Sequence, residues 1–562
     1  MQIIQSGEIF DVVVVGSGAT GGWMAKHLSE AGLKVALLEA GPKVTPAEFT
    51  EHQQPYDLRY RGASPEIARN RPIQSMKYAC VESNYKWFVD DIENPYTTPA
   101  DKPFQWTRGR VLGGRTLTWG RQSYRFSSMD LAPASHDGFG EDWPVTYDEL
   151  VPYYEKVERY VGISGSAEGL AQLPDSIMQP PMGMNCGEKH VQSSVQKKLG
   201  RRVIIGRVAA LTQDLNGRKA CHYCGPCHQG CATFSYFSSP WTTVADALKS
   251  GNCTLVTDAV VSHIETDRNT GLARGVAYFD RVSRQPRELR AKAIALCAST
   301  LESTRILLNS GDGVCNSSGA LGRDLLDHVS GGATGKLPIK EQSKWVGAPR
   351  RPNGLYVPRF INLDRPHTNG MIRGYGYQGS HGSSYGSASA IASRPGFGAK
   401  FKNSIHQDDD WYRMSLRSFG ECLPRWENHI ALDPEVRDAW GIPALRISAT
   451  WSDNELDLYR HSTEQAKEML HAAGAEDIRE SYQKPYWPGG TTHEVGTARM
   501  GKDPRKSVFN QWNQAHDVNN IYCTDGAAFV SVACQNPTLT MMALTVRAGD
   551  HIIERARRGD LA

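Results

Sequence analysis

The sequence predicts an α/β protein (α+β overall) of two or more domains, with a parallel sheet near its amino terminus, and three observations support this. The chain has 562 residues, more than one hydrophobic core usually holds. Residues Phe10 to Val15 (FDVVVV) form a continuous apolar run, typical of a strand buried on both faces. A glycine-rich turn, a helical stretch and a second apolar run follow, which is the order of a βαβ unit.

The glycine-rich turn reads GSGATG at residues 16–21. We expect Gly16 to permit the tight turn, Gly18 to let a pyrophosphate approach the backbone, and Gly21 to let the helix pack closely on the strand. The helical stretch GWMAKHLSEAG comes next, and the apolar run KVALLE closes the unit. The amino terminus of the helix would then face the phosphates of a dinucleotide.

An acidic residue ends the second predicted strand. Glu39 lies 23 residues after Gly16, at the position where a carboxylate hydrogen-bonds the ribose hydroxyls of a dinucleotide. This carboxylate would repel a 2′-phosphate, so NADP is disfavoured. The βαβ unit with its terminal acid therefore indicates a dinucleotide site, but it does not choose between FAD and NAD.

The composition excludes several other classes of protein. With 22% charged and 40% hydrophobic residues, the chain is neither disordered nor fibrous. Lys and Arg (63) nearly balance Asp and Glu (60), a net charge of +3, so no nucleic-acid partner is expected. We see no uncharged apolar run of membrane-spanning length. The first residues lack the pattern of a signal peptide, which predicts a cytoplasmic protein.

Three distant segments carry further motifs. Residues 108–126 (RGRVLGGRTLTWGRQSYRF) contain glycines suited to close passage past a flat ring. Residues 491–501 read TTHEVGTARMG. Near the carboxyl terminus, IYCTDGA predicts a strand that ends at Asp525, and NPTLTMMALTVRAGDHI predicts a helix with Pro537 near its first turn.

These segments together resemble the glucose–methanol–choline (GMC) family of flavin oxidoreductases. Further matching segments, DWPVTYDELVPYYEKVE, ASTLESTRILLNSG and LGRDLLDHV, fall in the family's order, so the resemblance runs nearly end to end. It implies FAD as the dinucleotide. It also implies the GMC fold, a Rossmann-like FAD-binding domain joined to a discontinuous substrate domain on a mostly antiparallel sheet.

The resemblance also implies which residues contact FAD. They are Gly16, Gly18, Ala19, Thr20, Gly21, Glu39, Ala40, Arg110, Gly113, Gly114, Thr118, Val260, Asp525, Gly526, Pro537 and Thr538. Where the family usually continues the glycine segment with serines and an Asn, this chain reads RTLTW at residues 115–119. No His stands there for covalent attachment, so we expect noncovalent FAD.

In the family a His, paired with a second His or an Asn, lies over the flavin, and the motif match gives these roles to His493 and Asn536. Alcohol oxidation removes the O–H proton while hydride leaves the same carbon, and an imidazole is a suitable base for that proton. An amide can hold the substrate oxygen without competing for the proton. A buried structural histidine and a plain helix N-cap are the alternative interpretations of His493 and Asn536.

Four cysteines fall within residues 221–231 (CHYCGPCHQGC), with the spacing C-x2-C-x2-C-x3-C of bacterial ferredoxins. They are Cys221, Cys224, Cys227 and Cys231. The proline that usually follows the fourth cysteine is replaced by Ala232. Three interpretations stay open: an iron–sulfur cluster (3Fe-4S or 4Fe-4S) held by three or four thiolates, a zinc site for which His222 and His228 are spare ligands, or a loop without metal.

We expect the FAD-binding domain to comprise residues 1–130, 205–330 and 485–562, including the Cys-rich loop. Residues 131–204 and 331–484 would form the substrate-binding domain. Within it the glycine-rich stretch at 374–390 predicts a loop or an edge strand. Side chains available to a sugar there are Trp411, Tyr412, Arg413, Trp426, Tyr377 and His381.

The resemblance also suggests a substrate. The NPTLTMMAL segment looks most like pyranose oxidases, and the cysteine run looks like bacterial FAD sugar dehydrogenases. Both features together suggest a glucoside 3-dehydrogenase catalytic subunit, which makes a 3-keto sugar and passes electrons through the cluster to a cytochrome or another protein. The alternatives are an oxidase that uses O2 and releases peroxide, oxidation of a non-sugar alcohol such as choline, a non-enzymatic flavoprotein and a lyase. Export to the periplasm with a small partner subunit is the alternative to a cytoplasmic location.

Overall fold

The computed structural model describes residues 4–53, 57, 65–311, 314–340, 351–364, 367–382, 396–407 and 411–561. Its strands are β1 (Ile4–Val15), β2 (Val35–Leu38), β3 (Ile163–Ser164), β4 (Met178–Gln179), β5 (Ile204–Ile205), β6 (Cys253–Val256), β7 (Ala259–Thr266), β8 (Ala273–Asp280), β9 (Pro286–Leu296), β10 (Gly332–Lys340), β11 (Leu355–Val357), β12 (Tyr375–Gly382), β13 (Trp411–Gly420), β14 (His429–Arg437), β15 (Pro443–Ser448), β16 (Glu476–Glu480) and β17 (Ile521–Cys523). Its α-helices are α1 (Ala19–Glu30), α2 (Pro65–Asn70), α3 (Ser128–Leu131), α4 (Pro133–Asp137), α5 (Tyr147–Val161), α6 (Cys186–Leu199), α7 (Thr243–Lys249), α8 (Thr300–Leu308), α9 (Gly398–Gln407), α10 (Asp453–Ala472) and α11 (Thr538–Arg558). Short 3-10 helices occur at Pro46–Glu48, Gln74–Met76, Tyr85–Trp87, Gly114–Leu117, Cys227–Gln229, Ser239–Trp241 and Gly526–Ala528.

The first sheet has seven strands in the order β6-β2-β1-β9-β8-β7, with β17 also paired to β9. Strands β6, β2, β1, β9 and β17 run parallel, whereas β7 and β8 are antiparallel to their neighbours. One side of the long β9 pairs with β1, and its other side serves two partners, because its first residues pair with β8 and its last ones with β17. The parallel part confirms the predicted βαβ unit and α/β class.

Both faces of β1 are buried, which explains its uninterrupted valines. Val12 and Val14 pack among side chains of α1, α7 and α11 on one face. Val13 and Val15 join the largest hydrophobic core cluster on the other face. Strands β1, β2, β9 and β17 all end at one edge of the sheet, where ligands of open α/β sheets bind.

The second sheet has six strands in the order β16-β10-β13-β12-β11-β5, and all of its pairs are antiparallel. Helices α6 and α10 cover it with apolar side chains. Strand β12 lies inside this sheet, between β11 and β13, so the prediction of a loop or edge strand is wrong for residues 375–382. Glycines there admit neighbouring side chains, since a Cβ on Gly379 would lie 2.3 Å from Leu355 Cδ1. Residues 383–390 of that stretch lie outside the described part of the chain.

This all-antiparallel sheet confirms the predicted second architecture, while the division of the chain into two domains at the stated residues stays a prediction. Strands β14 and β15 form a separate hairpin, and β3 pairs with β4. Across the described ranges, no helix combines the length and the apolar character that crossing a membrane requires.

Candidate functional site

The turn after β1 has little free space except at its middle glycine. Gly16 has φ +96°, and a Cβ there would lie 2.4 Å from the Cys297 carbonyl oxygen. A Cβ on Gly21 would lie 1.7 Å from the Gly16 oxygen, so only glycine lets α1 approach the strand this closely. At Gly18, by contrast, nothing lies nearer to a Cβ than the Gly113 oxygen at 3.9 Å. The backbone at Gly18 therefore borders open space.

The acid at the end of β2 is held against this turn. Glu39 Oε2 accepts a hydrogen bond of 2.5 Å from Ser17 Oγ, and Oε1 accepts one of 2.8 Å from the Gly41 N–H. Burial raises the pKa of the Glu39 carboxyl, an effect that these hydrogen bonds and the charge of Arg110 oppose.

The second glycine segment lies beside the first. Gly113 has φ +91° and donates its N–H to Ser17 Oγ at 2.8 Å, while its α-carbon faces Pro240. A Cβ on Gly114 would meet nothing nearer than Gly18 Cα at 3.9 Å. Gly18 and Gly114 thus lie side by side and present bare backbone to the same open space, which we call the corridor. No side chain fills this corridor, so it has room for a flat or slender ligand.

Two more elements reach the same place from the carboxyl edge of the first sheet. Helix α8 begins after Ser299, and Ser303 Oγ in its first turn donates a 2.5 Å hydrogen bond to Asp525 Oδ2. Asp525 Oδ1 accepts the Ala527 N–H at 2.9 Å and so caps the 3-10 helix that follows β17. Burial raises the pKa of Asp525.

A single cavity collects these parts. The predicted residues that line it are Gly16, Gly18, Ala19, Thr20, Glu39, Ala40, Arg110, Gly114, Thr118, Val260, His493, Asp525, Gly526, Asn536, Pro537 and Thr538. Gly21 and Gly113 lie behind its wall, where they make the close backbone contacts described above. Lining residues that sequence reasoning missed are Lys77, Arg115, Trp119, Arg121, Gln122, Ser299, Glu302 and Glu494. The amino termini of α1, α8 and α11 all reach this cavity.

His493 and Asn536, 43 residues apart in the chain, meet at the cavity wall. Asn536 Nδ2 lies 3.0 Å from His493 Nε2, and Gln378 Nε2 donates a 2.9 Å hydrogen bond to Asn536 Oδ1. Because Gln378 can only donate through that nitrogen, the Asn536 amide presents its N–H group to the imidazole. Asn536 does not cap α11, whose N-cap position is Pro537. Its amide therefore serves the site and not the helix end.

The neighbouring residues Asp327 and His328 fix His493: Asp327 binds the backbone of His493, and His328 binds its imidazole ring. Asp327 Oδ1 accepts the His493 N–H at 3.1 Å. His328 Nε2 lies 2.5 Å from the Ala533 oxygen, and its Nδ1 lies 2.9 Å from His493 Nδ1. His328 must donate to the carbonyl, so its Nδ1 accepts from His493 Nδ1–H. That assignment leaves the lone pair of His493 Nε2 facing Asn536.

Sequence reasoning gave Asp327 and His328 no role, although it singled out their segment LGRDLLDHV as a family motif. Gln378, on β12, had no signal at all, because its partner Asn536 is 158 positions away. Contacts at such separations arise only when β12 is placed in the second sheet.

The charges around His493 are mainly positive. Burial lowers the pKa of His493 well below its usual value, and His328, Arg115, Arg417 and Lys77 lower it further. Burial also lowers the pKa of His328 and lowers that of Lys77 to about 8. The imidazole of His493 is therefore neutral at neutral pH and able to accept a proton.

An ion pair ties the glycine segment to the histidine loop. Arg115 Nη1 lies 3.0 Å from Glu494 Oε2 and donates to the Thr492 oxygen at 3.1 Å. Arg115 Nη2 also donates to Ser299 Oγ at 3.2 Å. The departure from the family pattern at residue 115 thus places a paired cation at the cavity wall.

The residues proposed for sugar stacking do not form a platform. Tyr377 is fully buried and donates to the Ser462 oxygen, so it belongs to the core of the second sheet. Trp426 lies at the surface under Arg323. Arg413 does not line the cavity. The side chains of His381, Trp411 and Tyr412 lie outside the described part of the structure.

The four thiols of the Cys-rich loop are partly buried and make no disulfide. Burial, together with the nearby Cys227 and Cys231, raises the pKa of Cys224 to about 12. None of these thiols lines the cavity. Cys227 and Cys231 pack against a small core cluster that contains Tyr236, and Tyr236 donates to the oxygen of Leu117 at 2.8 Å, next to the lining residues Thr116 and Thr118. Among described residues, the group whose ligand atoms lie within 4.8 Å of one another is His52, His222 and Cys224.

The residues present fit an FAD. A Cβ on Gly18 or on Gly114 would project into the corridor that both residues border, and helix amino termini favour the negative charges of a pyrophosphate. Glu39 lies at the end of the cavity that Ala40 and Val260 line, and Val260 packs there with Trp440.

Comparison with known proteins agrees with this geometry. The family models described as GMC oxidoreductase match residues 10–330 and 424–545. A 2-methyl-1,2-propanediol dehydrogenase from Mycolicibacterium austroafricanum is 30% identical over 97% of this chain and 95% of that protein. The fructose dehydrogenase large subunit of Gluconobacter japonicus is 26% identical over 98% of both chains.

Among solved structures, pyridoxine 4-oxidase from Mesorbium loti superposes with a TM-score of 0.60 at 17% identity, covering 96% of this chain and 99% of that chain. This likeness confirms the fold predicted from the family resemblance. The matched motifs, the cavity and the family models lead to one conclusion: the chain belongs to the GMC oxidoreductase family and is an FAD-dependent enzyme that oxidises alcohols.

Proposed function

We propose that the protein oxidises a secondary alcohol of a pyranose, at C3 of a glucoside, and gives a 3-keto sugar. The observation that carries this proposal is the 3.0 Å contact between His493 Nε2 and Asn536 Nδ2 in the wall of the FAD cavity. The substrate loses a hydride from its carbon and a proton from its hydroxyl group. FAD supplies the acceptor for the hydride at its N5 position.

His493 takes the hydroxyl proton at Nε2. Its Nδ1–H is held by His328, so only Nε2 can act as base, and the depressed pKa keeps this nitrogen free of a proton before the reaction. Protonation turns His493 into a buried imidazolium. The substrate oxygen carries negative charge that offsets this cation only while the alcohol is being oxidised, since the carbonyl product is neutral. The proton therefore leaves readily afterwards.

Asn536 orients the alcohol. Its Nδ2 carries two hydrogens, one directed at His493 Nε2 and one left for the substrate oxygen. Gln378 fixes the amide in this orientation. The amino terminus of α11 starts next to Asn536, and its dipole favours negative charge on an oxygen or a ring in the cavity.

The choice of a sugar rests on two arguments. The relative from Gluconobacter is named a fructose dehydrogenase, and the sequence combines the NPTLTMMAL segment with the cysteine run of bacterial sugar dehydrogenases. Oxidation at C3 of a glucoside is the reaction that this combination suggests. An oxidase that passes electrons to O2 and a dehydrogenase for a non-sugar alcohol are the competing functions.

We further propose that Cys221, Cys224, Cys227 and Cys231 hold an iron–sulfur cluster that passes electrons to a cytochrome or another protein acceptor. The spacing and the mutual influence of the thiols on their pKa values support it. The sulfur atoms that hold an iron–sulfur cluster lie farther apart than the ligand atoms of one zinc ion. In the described loop, no three of the four thiols have sulfur atoms within 4.8 Å of one another, which agrees with the wider spacing. His52, His222 and Cys224 would be ligands in the competing zinc site.

A small partner subunit and a periplasmic location reached with it are proposals of the same kind, and a cytoplasmic location is their alternative. The name of the relative from Gluconobacter, a large subunit, supports a partner. Co-expression with candidate small subunits followed by fractionation of the cells would decide both points.

The test is anaerobic mixing of the enzyme with methyl glucosides, fructose, choline and small diols, followed by bleaching of the flavin and NMR of the product. We expect bleaching by a glucoside and a 3-keto product. His493→Ala should lower the rate of flavin reduction roughly 10²- to 10⁴-fold, while the surface variant His429→Ala should not change it. Bleaching by choline and by no sugar would contradict the proposal.

The electron acceptor is tested on the same preparation. A dehydrogenase should reduce dyes much faster than it makes peroxide, and iron should be bound in a fixed ratio to FAD. Iron-free protein after anaerobic purification, or zinc in its place, would contradict the cluster.

A further inference from the structure

Arg121 is a buried cation at the cavity wall with unused hydrogen-bond donors. It is 7% exposed and lines the same cavity as His493 and Asn536. Its Nη2 donates to the Pro352 oxygen at 3.3 Å, but Nε and Nη1 are buried and have no hydrogen-bond partner in the described structure. The guanidinium lies over the ring of Tyr236, 5.4 Å from its centre.

Most other buried arginines of the described chain have a carboxylate partner; Arg218, which donates to the oxygens of Tyr160 and Val161, is an exception outside the cavity. Arg125 pairs with Glu158, Arg305 with Asp438, Arg359 with Glu421 and Arg373 with Asp137. No carboxylate of the described residues lies within ion-pair distance of Arg121. Burying a cation without a carboxylate partner costs stability, so an anion that enters the cavity would be favoured beside Arg121.

The neighbours of Arg121 do not supply that anion. His228 supplies no negative charge, because an imidazole ring is either neutral or cationic. Tyr236 keeps its proton, because its hydroxyl group donates a hydrogen bond of 2.8 Å to the Leu117 oxygen. Two competing sources of negative charge lie near Tyr236. They are the carboxylate of Glu51, which forms no ion pair with Arg121, and the thiolates of the Cys-rich loop if they carry a metal.

The reaction end of the cavity has a positive balance as well. Arg115 is neutralised by Glu494, whereas Lys77 donates to the Gly490 oxygen and Arg417 to Ser330 Oγ. The carboxylate of Asp327, whose charge acts on Lys77, offsets one of these two cations. An anionic molecule would therefore be attracted to this cavity more strongly than a neutral one.

We infer that Arg121 binds a carboxylate of the substrate, so that the preferred substrate is a pyranoside that carries an acid group. This inference rests on the proposed sugar oxidation and makes its substrate class narrower. The secondary alcohol goes to His493 and Asn536, and the carboxylate goes to the part of the Arg121 guanidinium that lines the cavity. Guanidinium–carboxylate hydrogen bonds are among the strongest in proteins, and here they form out of water.

The experiment compares methyl β-glucopyranoside with methyl β-glucuronopyranoside, which have the same hydroxyl groups at C2, C3 and C4 and differ only in the acid at C6. Apparent dissociation constants come from the concentration dependence of anaerobic flavin reduction. We expect the wild-type holoenzyme to bind the acid roughly tenfold to a hundredfold more tightly. Arg121→Gln should bring the ratio of the two constants close to one, and Arg121→Lys should give a value between.

The matched control is Arg323→Gln. The guanidinium of Arg323 also lies over an aromatic ring, 5.1 Å from the centre of Trp426, but on the exposed surface. Its replacement should leave the ratio unchanged. FAD content and the midpoint of thermal unfolding show whether each variant folds. If Arg121→Gln does not fold, the ratio of the two dissociation constants in the wild type still tests the inference.

Several results would overturn the inference. A wild-type ratio of one or less would do so, as would a preference for the acid that persists in Arg121→Gln. If Arg121→Gln changes the iron content or the spectrum of a cluster but not the ratio, the anion beside Arg121 belongs to the Cys-rich loop.

If neither sugar reduces the flavin, the proposed sugar oxidation fails, and binding is measured by calorimetry on the oxidised holoenzyme. Binding of the glucuronoside that Arg121→Gln abolishes would still support the anion site. Absence of binding to the wild type would overturn it.

Discussion

The two sheets contribute to the cavity in different ways. The first sheet supplies backbone, in the form of glycine turns and helix amino termini at the carboxyl ends of its parallel strands. The second sheet supplies a side chain, since Gln378 on β12 reaches across to Asn536. The nucleotide end therefore depends on where glycines stand, and the reaction end depends on which side chains meet. Variants at the two ends should fail in different ways.

The largest effect is expected at the backbone end, from Gly21→Ala. Its methyl group would lie 1.7 Å from the Gly16 oxygen, and backbone on both sides cannot give way. We expect loss of soluble protein or of all bound FAD, measured as the ratio of flavin to protein absorbance and by thermal unfolding.

Gly18→Ala is the matched variant, because its methyl group would meet nothing nearer than 3.9 Å. It should fold with an unfolding midpoint like that of wild-type apoprotein, yet bind FAD more weakly, since the methyl group enters the corridor. Gly7→Ala, with nothing within 4 Å of its Cβ, is the neutral control. If Gly21→Ala folds and binds FAD normally, the close contact in the turn is not essential.

The next largest effect on the rate is expected at the reaction end of the cavity, from the loss of His328. His328→Ala removes the acceptor for His493 Nδ1–H and leaves a buried donor unpaired, so His493 can adopt the tautomer with its proton on Nε2. We expect flavin reduction to slow by roughly 10- to 100-fold at unchanged FAD content, since a lost buried hydrogen bond costs about 1–3 kcal/mol.

His328→Gln separates positioning from mere packing. Its amide can accept from His493 and donate to the Ala533 oxygen, as His328 does, so it should recover much of the rate. If the glutamine and alanine variants are equally slow, the tautomer assignment fails.

The same contrast explains what the sequence could predict. The βαβ unit, the glycine turns and the lining residues Gly18, Glu39 and Asp525 follow local rules of spacing and backbone conformation, and so does the interior parallel sheet. His493 and Asn536 were predicted only through the family motif. Arg121 and Gln378 could not be predicted, because burial and pairing at long separations depend on the second sheet.

The glycine-rich strand β12 shows the same limit. Its composition suggests a loop, but Gly376 and Gly379 admit Tyr356 and Leu355 of the adjacent β11. Tertiary packing overrides the low strand propensity of glycine there.

A smaller effect is expected at Gln378. Gln378→Leu removes the donor that fixes Asn536, and loss of one neutral hydrogen bond, about 0.5–1.5 kcal/mol, predicts a slowing of roughly tenfold or less. Gln378→Glu should be slower than Gln378→Leu, because a carboxylate attracts the Asn536 NH2 group away from His493. Rates are measured by anaerobic flavin reduction, and a glutamate variant as fast as wild type would show that the amide needs no outside support.

The smallest effect concerns the pH dependence and Lys77. Burial lowers the pKa of His493 most, and His328, Arg115, Arg417 and Lys77 follow in decreasing order of effect. Of these four groups, Lys77 therefore has the smallest effect. Removing its charge in Lys77→Met makes the imidazolium less unfavourable, so the pKa of His493 rises. Activity requires neutral His493, and the acid limb of kcat/KM should therefore move to higher pH, by a fraction of a unit.

Lys77 itself loses its proton near its lowered pKa of about 8, so wild type and Lys77→Met should converge above that pH if only the charge matters. Lys77→Arg, which keeps the charge, should retain the wild-type acid limb, and the exposed Lys86→Met should do the same. The measurement is kcat/KM for one substrate across a pH series at constant ionic strength. An acid limb in Lys77→Met that moves to lower pH would mean that Lys77 acts on His493 through hydrogen bonding or packing, and the positive field at the reaction end would then have to come from Arg115 and Arg417 alone.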